Sequence, residues 1–234
     1  MIVEDFLRYM EAEKDASPQT VVTYRAALAD YIAFLGKIDG SLAPEDADSD
    51  IIRDWVEDMM DRGYKATNTC KKLSAVRSLY KYALRKGVIK RDPAHGVNGP
   101  KKQKNLPVFL KEQEADKLFD SIPWDYDDIN DVRTRTLLLL LYSTGMRRAE
   151  VIGLRDKDID FAGGYVKVTG KRRKQRVVPL GAEITDALDV YMKMRDMATP
   201  AADDTGALFR NAKGAPMTAA QVYSAVKKSL SLVT

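Results

Sequence analysis

Tyr142-Ser143-Thr144-Gly145-Met146-Arg147-Arg148-Ala149-Glu150-Val151-Ile152-Gly153-Leu154 is the stretch that fixes the organisation of this chain. Before it, Leu137 to Tyr142 is an apolar run suited to a buried helix, and Gly145 before Arg147 allows a sharp corner. Arg147 then begins a second, short helix, expected over about Arg147 to Gly153. Glu150 lies three residues on and so shares a helix face with Arg147. Arg148 is expected to meet solvent or packing.

The chain then changes period. Asp158 to Phe161, Tyr165 to Thr169 and Arg176 to Leu180 read as short strands. Gly163-Gly164 makes a tight turn between the first two. Gly170 to Gln175 joins the next two and is crowded with cations: Lys171, Arg172, Arg173 and Lys174. Helices are expected near Lys111 to Ser121, Asp128 to Ser143 and Ala182 to Met194, and a last one starts at a Thr218 cap. Residues 195–206 read as a loop, Ala207 to Phe209 as a short extended piece, and Tyr223 as a packing residue of the final helix.

Toward the N-terminus the pattern is purely helical. Ile2 to Lys14 carries apolar residues at helical spacing. Ser17-Pro18 is a helix start, and Gly36 is expected to stop that second helix. Asp48 or Ser49 can cap a third, with Ile51, Ile52, Trp55, Val56 and Met59 inward. A fourth is expected from about Thr67 to Lys86, with Leu73, Val76, Tyr80 and Ala83 on one face and Lys71, Ser74, Ser78, Lys81 and Arg85 on another. Arg91 to Lys104 is rich in Pro, Gly and Lys and reads as a linker.

Net charge is only +4, so the distribution matters more than the total. Arg62 to Arg91 holds ten Lys/Arg and no Asp or Glu, while the stretch before it is acidic. With the hairpin cations and Arg176 this makes two basic clusters, an arrangement suited to a polyanion such as nucleic acid. Solvated helix faces are the plainer alternative. The 45% hydrophobic and 31% charged residues suit buried cores in a soluble protein, and no run reaches the roughly 20 apolar residues of a membrane helix. A single cysteine, Cys70, excludes an internal disulfide framework and suits the cytosol. Zinc-type Cys/His spacing, a phosphate-binding Gly-Lys-Ser/Thr loop and enough histidines for a Ser-His-Asp hydrolase are all missing. The acidic run has the wrong spacing for a calcium loop. No metal or other cofactor is expected.

The ordered set Thr144-Gly145-Met146-Arg147, Glu150, Leu154, Asp158-Ile159, Gly170-Lys171 and Arg176-Val177-Val178-Pro179-Leu180 resembles the tyrosine recombinase or phage integrase family, especially its Xer branch. The resemblance covers nearly the whole chain. It implies a mainly α protein with a small antiparallel β-sheet: a helical SAM-like core DNA-binding domain over 1–90, a linker over 91–106, and an α/β catalytic domain over 107–234. It implies Arg147 as the first catalytic arginine, Glu150 as the acidic member that orients the site, and Lys171 as the lysine that protonates the leaving 5′ oxygen, with Lys174 as competitor. A guanidinium suits a phosphate in cleavage because its fixed fork of donors meets the non-bridging oxygens. Lys65, Lys71, Lys72, Ser74, Arg77, Lys101, Lys102, Arg172, Arg173 and Lys174 are the expected DNA contacts.

The family also carries a His-x-x-Arg box and a tyrosine nucleophile after it. The only histidine here is His95, in the linker. The catalytic domain is therefore expected to be truncated before that box, and the chain to bind DNA without cutting it. Double-stranded DNA and other recombinase protomers are the implied partners, with no membrane. A non-catalytic DNA-binding module competing with a full recombinase is the alternative. A helical protein-interaction domain with a basic face is a further one.

Overall fold

A computed structural model describes residues 2–103, 112–170, 174–198 and 206–233. The chain divides into two compact units, Met1–Pro107 and Val108–Thr234. The mainly α fold with a small antiparallel sheet is as the sequence predicts.

Unit 1 is built from α1 (Ile2–Ala12), α2 (Pro18–Ile38), α3 (Ser49–Asp61) and α4 (Ala66–Arg85). The Ser17 hydroxyl accepts from the Thr20 N–H at 3.2 Å, and the Asp48 carboxylate accepts from the Asp50 and Ile51 N–H groups at 2.9 Å each. These caps satisfy donors that a helix start leaves unpaired. Phe6, Leu28, Tyr31, Trp55, Met59 and Val76 form the core that the apolar spacing predicts. Inside it the Tyr80 hydroxyl donates to the Pro44 carbonyl at 2.8 Å. Its one proton is thereby used, so the Tyr31 hydroxyl is the donor in the 2.7 Å Tyr31–Tyr80 bond. Burial pushes the Tyr31 pKa up to about 12.

Two expectations for this unit are corrected. Gly36 does not end α2, which runs on to Ile38 and closes with the Asp39 N–H on the Leu35 carbonyl. A glycine inside a helix costs only about 1 kcal/mol, and burying Leu35, which is 1% exposed, offsets it. The first part of the expected 91–106 linker is also no free tether. Ala94 and Val97 are buried in the unit 1 core. Arg77 donates to the Val97 carbonyl, and the Cys70 thiol donates to the Pro100 carbonyl at 3.4 Å. A Pro- and Gly-rich backbone cannot make a ladder or helix, but it still packs as a strap by inserting small side chains. Residues 104–106 lie outside the described residues.

Unit 2 comprises α5 (Glu112–Asp120), α6 (Ile129–Thr144), α7 (Arg148–Ile152), β1 (Ile159–Asp160), β2 (Tyr165–Thr169), β3 (Gln175–Pro179), α8 (Ala182–Ala198) and α9 (Ala219–Leu230). The sheet is antiparallel in the order β1-β2-β3, with Ile159 opposite Val166 and Val168 opposite Arg176. Val166 and Val168 face a core made with Leu137, Leu140, Val151, Leu188 and Phe209. Thr218 and Gln221 close a reciprocal cap at the start of α9.

Here too the structure departs from expectation. α8 continues four residues past Met194, and Arg195 is buried at 1% exposure rather than in a loop. Its guanidinium forks onto Asp156 at 2.8 and 2.9 Å, reaches Asp196 and donates to the Leu208 carbonyl at 2.8 Å. Arg210 joins the same node through Asp196 at 3.1 Å and the Ala207 carbonyl at 3.2 Å. Burial pulls the Arg195 pKa down, but Asp156 and Asp196 more than restore it. Ala207 and Arg210 make isolated bridges to Arg155 and Pro216, so the extended piece is a fragment of a ladder. Tyr223, expected to pack, is 57% exposed on α9.

Candidate functional site

The site in unit 2 begins with a reversal. Gly145 closes α6 at φ +60°, with its N–H on the Leu141 carbonyl at 3.1 Å. A side chain is strained there, so glycine is what lets the chain turn. Met146 drops into the core and Arg147 caps α7 from outside, its side chain 80% exposed. Glu150, one turn on, is 7% exposed.

Glu150 is a shared acceptor. It takes the Arg147 backbone N–H at 2.9 Å and the Arg147 Nη1 at 3.2 Å. From β3, Arg176 donates Nη1 to Oε1 at 3.0 Å and Nη2 to Oε2 at 2.8 Å. The Arg176 fork, then the Arg147 backbone N–H, hold the Glu150 carboxyl down at about 2 against the burial that opposes them. Two guanidiniums against one carboxylate leave a net positive site whose outward member, Arg147, keeps donors for an oxyanion.

A consequence is testable by acid. The folded-state pKa of Glu150 lies below its ordinary 4.5. Its contribution to stability is therefore complete above pH 4.5 and lost as pH falls toward 2. The stability gap between wild type and Glu150→Gln should be constant from pH 7 to 5 and shrink from 4.5 to 2 in denaturant titrations. A gap independent of pH over that window would contradict the pairing.

Of the other residues singled out in unit 2, Lys171, Arg172 and Arg173 lie outside the described residues. Lys174 is exposed, and its carbonyl accepts the Gly170 N–H at 2.7 Å, so the two residues flanking 171–173 meet. A Cβ on Gly170 would lie 3.3 Å from Glu150 Oε1 and 3.6 Å from Arg176 Nη1. Arg176 reads in the sequence as one cation of the second basic cluster and as the start of the Arg-Val-Val-Pro-Leu block; its pairing with Glu150 is what the sequence does not announce.

The basic helix α4 sorts into free and engaged cations. Lys65, Lys71 and Ser74 are exposed, as are Lys81, Lys101 and Lys102. The Ser74 hydroxyl donates to the Cys70 carbonyl at 2.8 Å. Lys72 and Arg77, expected to contact DNA, are occupied. Lys72 Nζ is 3.1 Å from Asp30 and 4.5 Å over the Tyr64 ring, and Arg77 is turned to the Val97 carbonyl of the strap. Among the described residues no group of three His, Cys, Asp or Glu could hold a metal, and no helix is long and apolar enough to cross a membrane.

Comparison with known proteins places both units in one family. Residues 108–233 match the model of the phage integrase family, and residues 3–87 match the phage integrase N-terminal SAM-like domain. A tyrosine recombinase XerC of Pelotomaculum thermopropionicum is 36% identical over 240 residues, covering 99% of this chain and 78% of the relative. A tyrosine recombinase XerD of Staphylococcus haemolyticus is 32% identical, covering 97% and 76%. The Tn1549 transposon integrase, solved with transposon right end DNA, shares the fold at a TM-score of 0.75 and 19% identity, covering 97% of this chain and 78% of that one.

Proposed function

Because this chain belongs to the phage integrase family of tyrosine recombinases, we propose that it serves site-specific DNA recombination, in which one strand is cut and rejoined through a 3′-phosphotyrosine link. In that reaction a tyrosine oxygen bonds to phosphorus and the 5′ oxygen leaves with a proton. The phosphoester bond is exchanged rather than hydrolysed, so no nucleotide is consumed. The observation that carries the reading is the exposed Arg147 guanidinium anchored on buried Glu150, in the position the family pattern gives to a phosphate-gripping arginine. Lys171 is the proposed proton donor to the 5′ oxygen. It follows Gly170, which packs beside Glu150.

Unit 1 offers duplex DNA the exposed face of Lys65, Lys71, Ser74 and Lys81, with Lys101 and Lys102 beyond it. Arg172, Arg173 and Lys174 are the matching contacts proposed for unit 2. Lys72 and Arg77 act by holding Asp30 and the strap. Recombination joins two sites, so other protomers of the same kind are the proposed protein partners, in the cytoplasm. The domain division proposed is a helical DNA-binding domain that includes the strap packed on α4, a connecting stretch after it, and a catalytic domain from 107 onward.

As a chain of 234 residues, it is proposed to bind duplex DNA without cutting it, since its one histidine, His95, belongs to the strap. The test is a salt titration of binding to a short duplex. Affinity should fall linearly on a log–log plot, and Lys71→Ala with Lys81→Ala should reduce the slope by about 1.8, roughly 0.9 for each phosphate released. A covalent protein–DNA adduct on a denaturing gel would overturn the non-cutting part. No binding at low salt would overturn the DNA reading and favour an acidic protein partner.

A further inference from the structure

The Glu150 carboxylate has two guanidinium partners, and they are not equivalent. Arg176 gives it a fork, one nitrogen to each oxygen at 3.0 and 2.8 Å. Arg147 gives it one side-chain N–H at 3.2 Å and stays 80% exposed. The fork-to-fork arrangement is the strongest geometry a carboxylate and an arginine can adopt. Whichever arginine occupies it gives two of its five N–H donors to the carboxylate and is held in that plane. If the seat were empty, Arg147, already in contact, is the cation that would fill it. Its guanidinium would then fold back onto the protein, away from any phosphate.

The seat is also closed on the sheet side. Gly170 approaches so near that a Cβ there would stand 3.3 Å from Glu150 Oε1 and 3.6 Å from Arg176 Nη1. Arg176 itself is delivered by β3, where it lies opposite Val168 of β2. Strand register fixes it at the carboxylate, whereas Arg147 sits at a helix start with its side chain in solvent.

We propose that Arg176 is a positioning residue: by taking both oxygens of Glu150 it keeps the Arg147 guanidinium turned outward and free to grip a DNA phosphate. Arg176 spends one N–H of each terminal nitrogen on Glu150 and is held against the protein by them, which leaves Arg147 as the outward cation. The inference rests on the DNA reading above and adds to it a division of labour between two arginines.

The salt dependence of duplex binding separates these roles. The 234-residue chain is titrated with a short duplex between about 0.05 and 0.2 M salt, and the slope of log affinity against log salt is read. Loss of one phosphate contact lowers the slope by about 0.9. Arg147→Ala is expected to show that loss. Arg176→Ala should show the same loss although Arg147 is present, and the double variant should lose no more than either single one. A packing role for Arg176 would change affinity and leave the slope alone. Should Arg176→Ala fail to fold, Arg176→Gln retains an amide donor on a long side chain and is expected to give the same slope. An unmoved slope in the Arg176 variant overturns the inference, and so does a double variant that loses about 1.8, two phosphate contacts' worth. Wild type that binds no duplex at low salt overturns the DNA reading and this inference with it. Wild type that binds, with an Arg176 variant of unaltered slope, overturns the inference alone.

Discussion

Arg147→Ala is expected to lower strand cleavage by roughly a thousandfold, in any longer form of this chain that cuts DNA, while duplex affinity falls by less than about tenfold. The first figure is the upper part of the range for losing a donor aimed at charge that develops in a transition state, about 4 kcal/mol. The second is small because the exposed side chain makes one phosphate contact among many, and the cations of α4 are untouched. The substitution should not disturb the fold: the Arg147 backbone N–H still reaches Glu150, and Arg176 still neutralises it. Arg147→Lys should recover little activity, because an ammonium is a point charge without a fork. Cleavage per bound complex is the quantity to measure, by quenched gel assays at saturating protein. Affinity lost with cleavage per complex preserved would remove Arg147 from the reaction.

Arg195→Ala should destabilise unit 2 by about 3 kcal/mol, through the loss of a buried guanidinium's charge-assisted hydrogen bonds to carboxylates that are themselves partly exposed. Three segments converge on this guanidinium: the 3₁₀ turn at Asp156, the end of α8 at Asp196, and the 207–210 piece through the Leu208 carbonyl. Alanine would leave Asp156 without its forked partner and the Leu208 carbonyl with only the Tyr191 hydroxyl at 3.2 Å. A cavity the size of a long side chain would add to the loss. Arg195→Met fills that space and should cost less. Amide hydrogen exchange can localise the effect, with protection lost in α6 and α8 and retained in α2 and α4. Equal protection in α6 and α8 of variant and wild type would show that the node contributes nothing to folding.

What could be read from the sequence was what depends on neighbours in the chain. Gly145 before Arg147, the serine cap at 17, the aspartate cap at 48 and the apolar spacing of α4 are local facts with local causes, and the elements follow them to within a few residues. Arg147 and Glu150 were legible for the same reason, being three residues apart on one helix. Arg176 reaches Glu150 from 26 residues away, and nothing in a period-two strand says which carboxylate an outward arginine will meet. The partners that Lys72 and Arg77 have within the fold were hidden on the same ground. Charge at helical spacing identifies a face, but Asp30 and the Val97 carbonyl arrive from other segments and occupy it. Arg195 shows the converse error, since arginine reads as solvent-facing unless its buried acceptors are already known. The family pattern itself was legible because several separate local motifs occur in one order, which no single motif would have established.

The strap over α4 leaves Cys70 in an unusual position. A Cβ on Gly99 would stand 2.8 Å from its sulfur, and the Pro100 carbonyl accepts a hydrogen bond from the thiol. The chain's one thiol, only partly buried, thus doubles as a built-in reporter: a change in the rate at which a sulfhydryl reagent modifies it follows a change in how the strap is seated. The breathing of this segment could be followed in solution without adding a dye or a second cysteine.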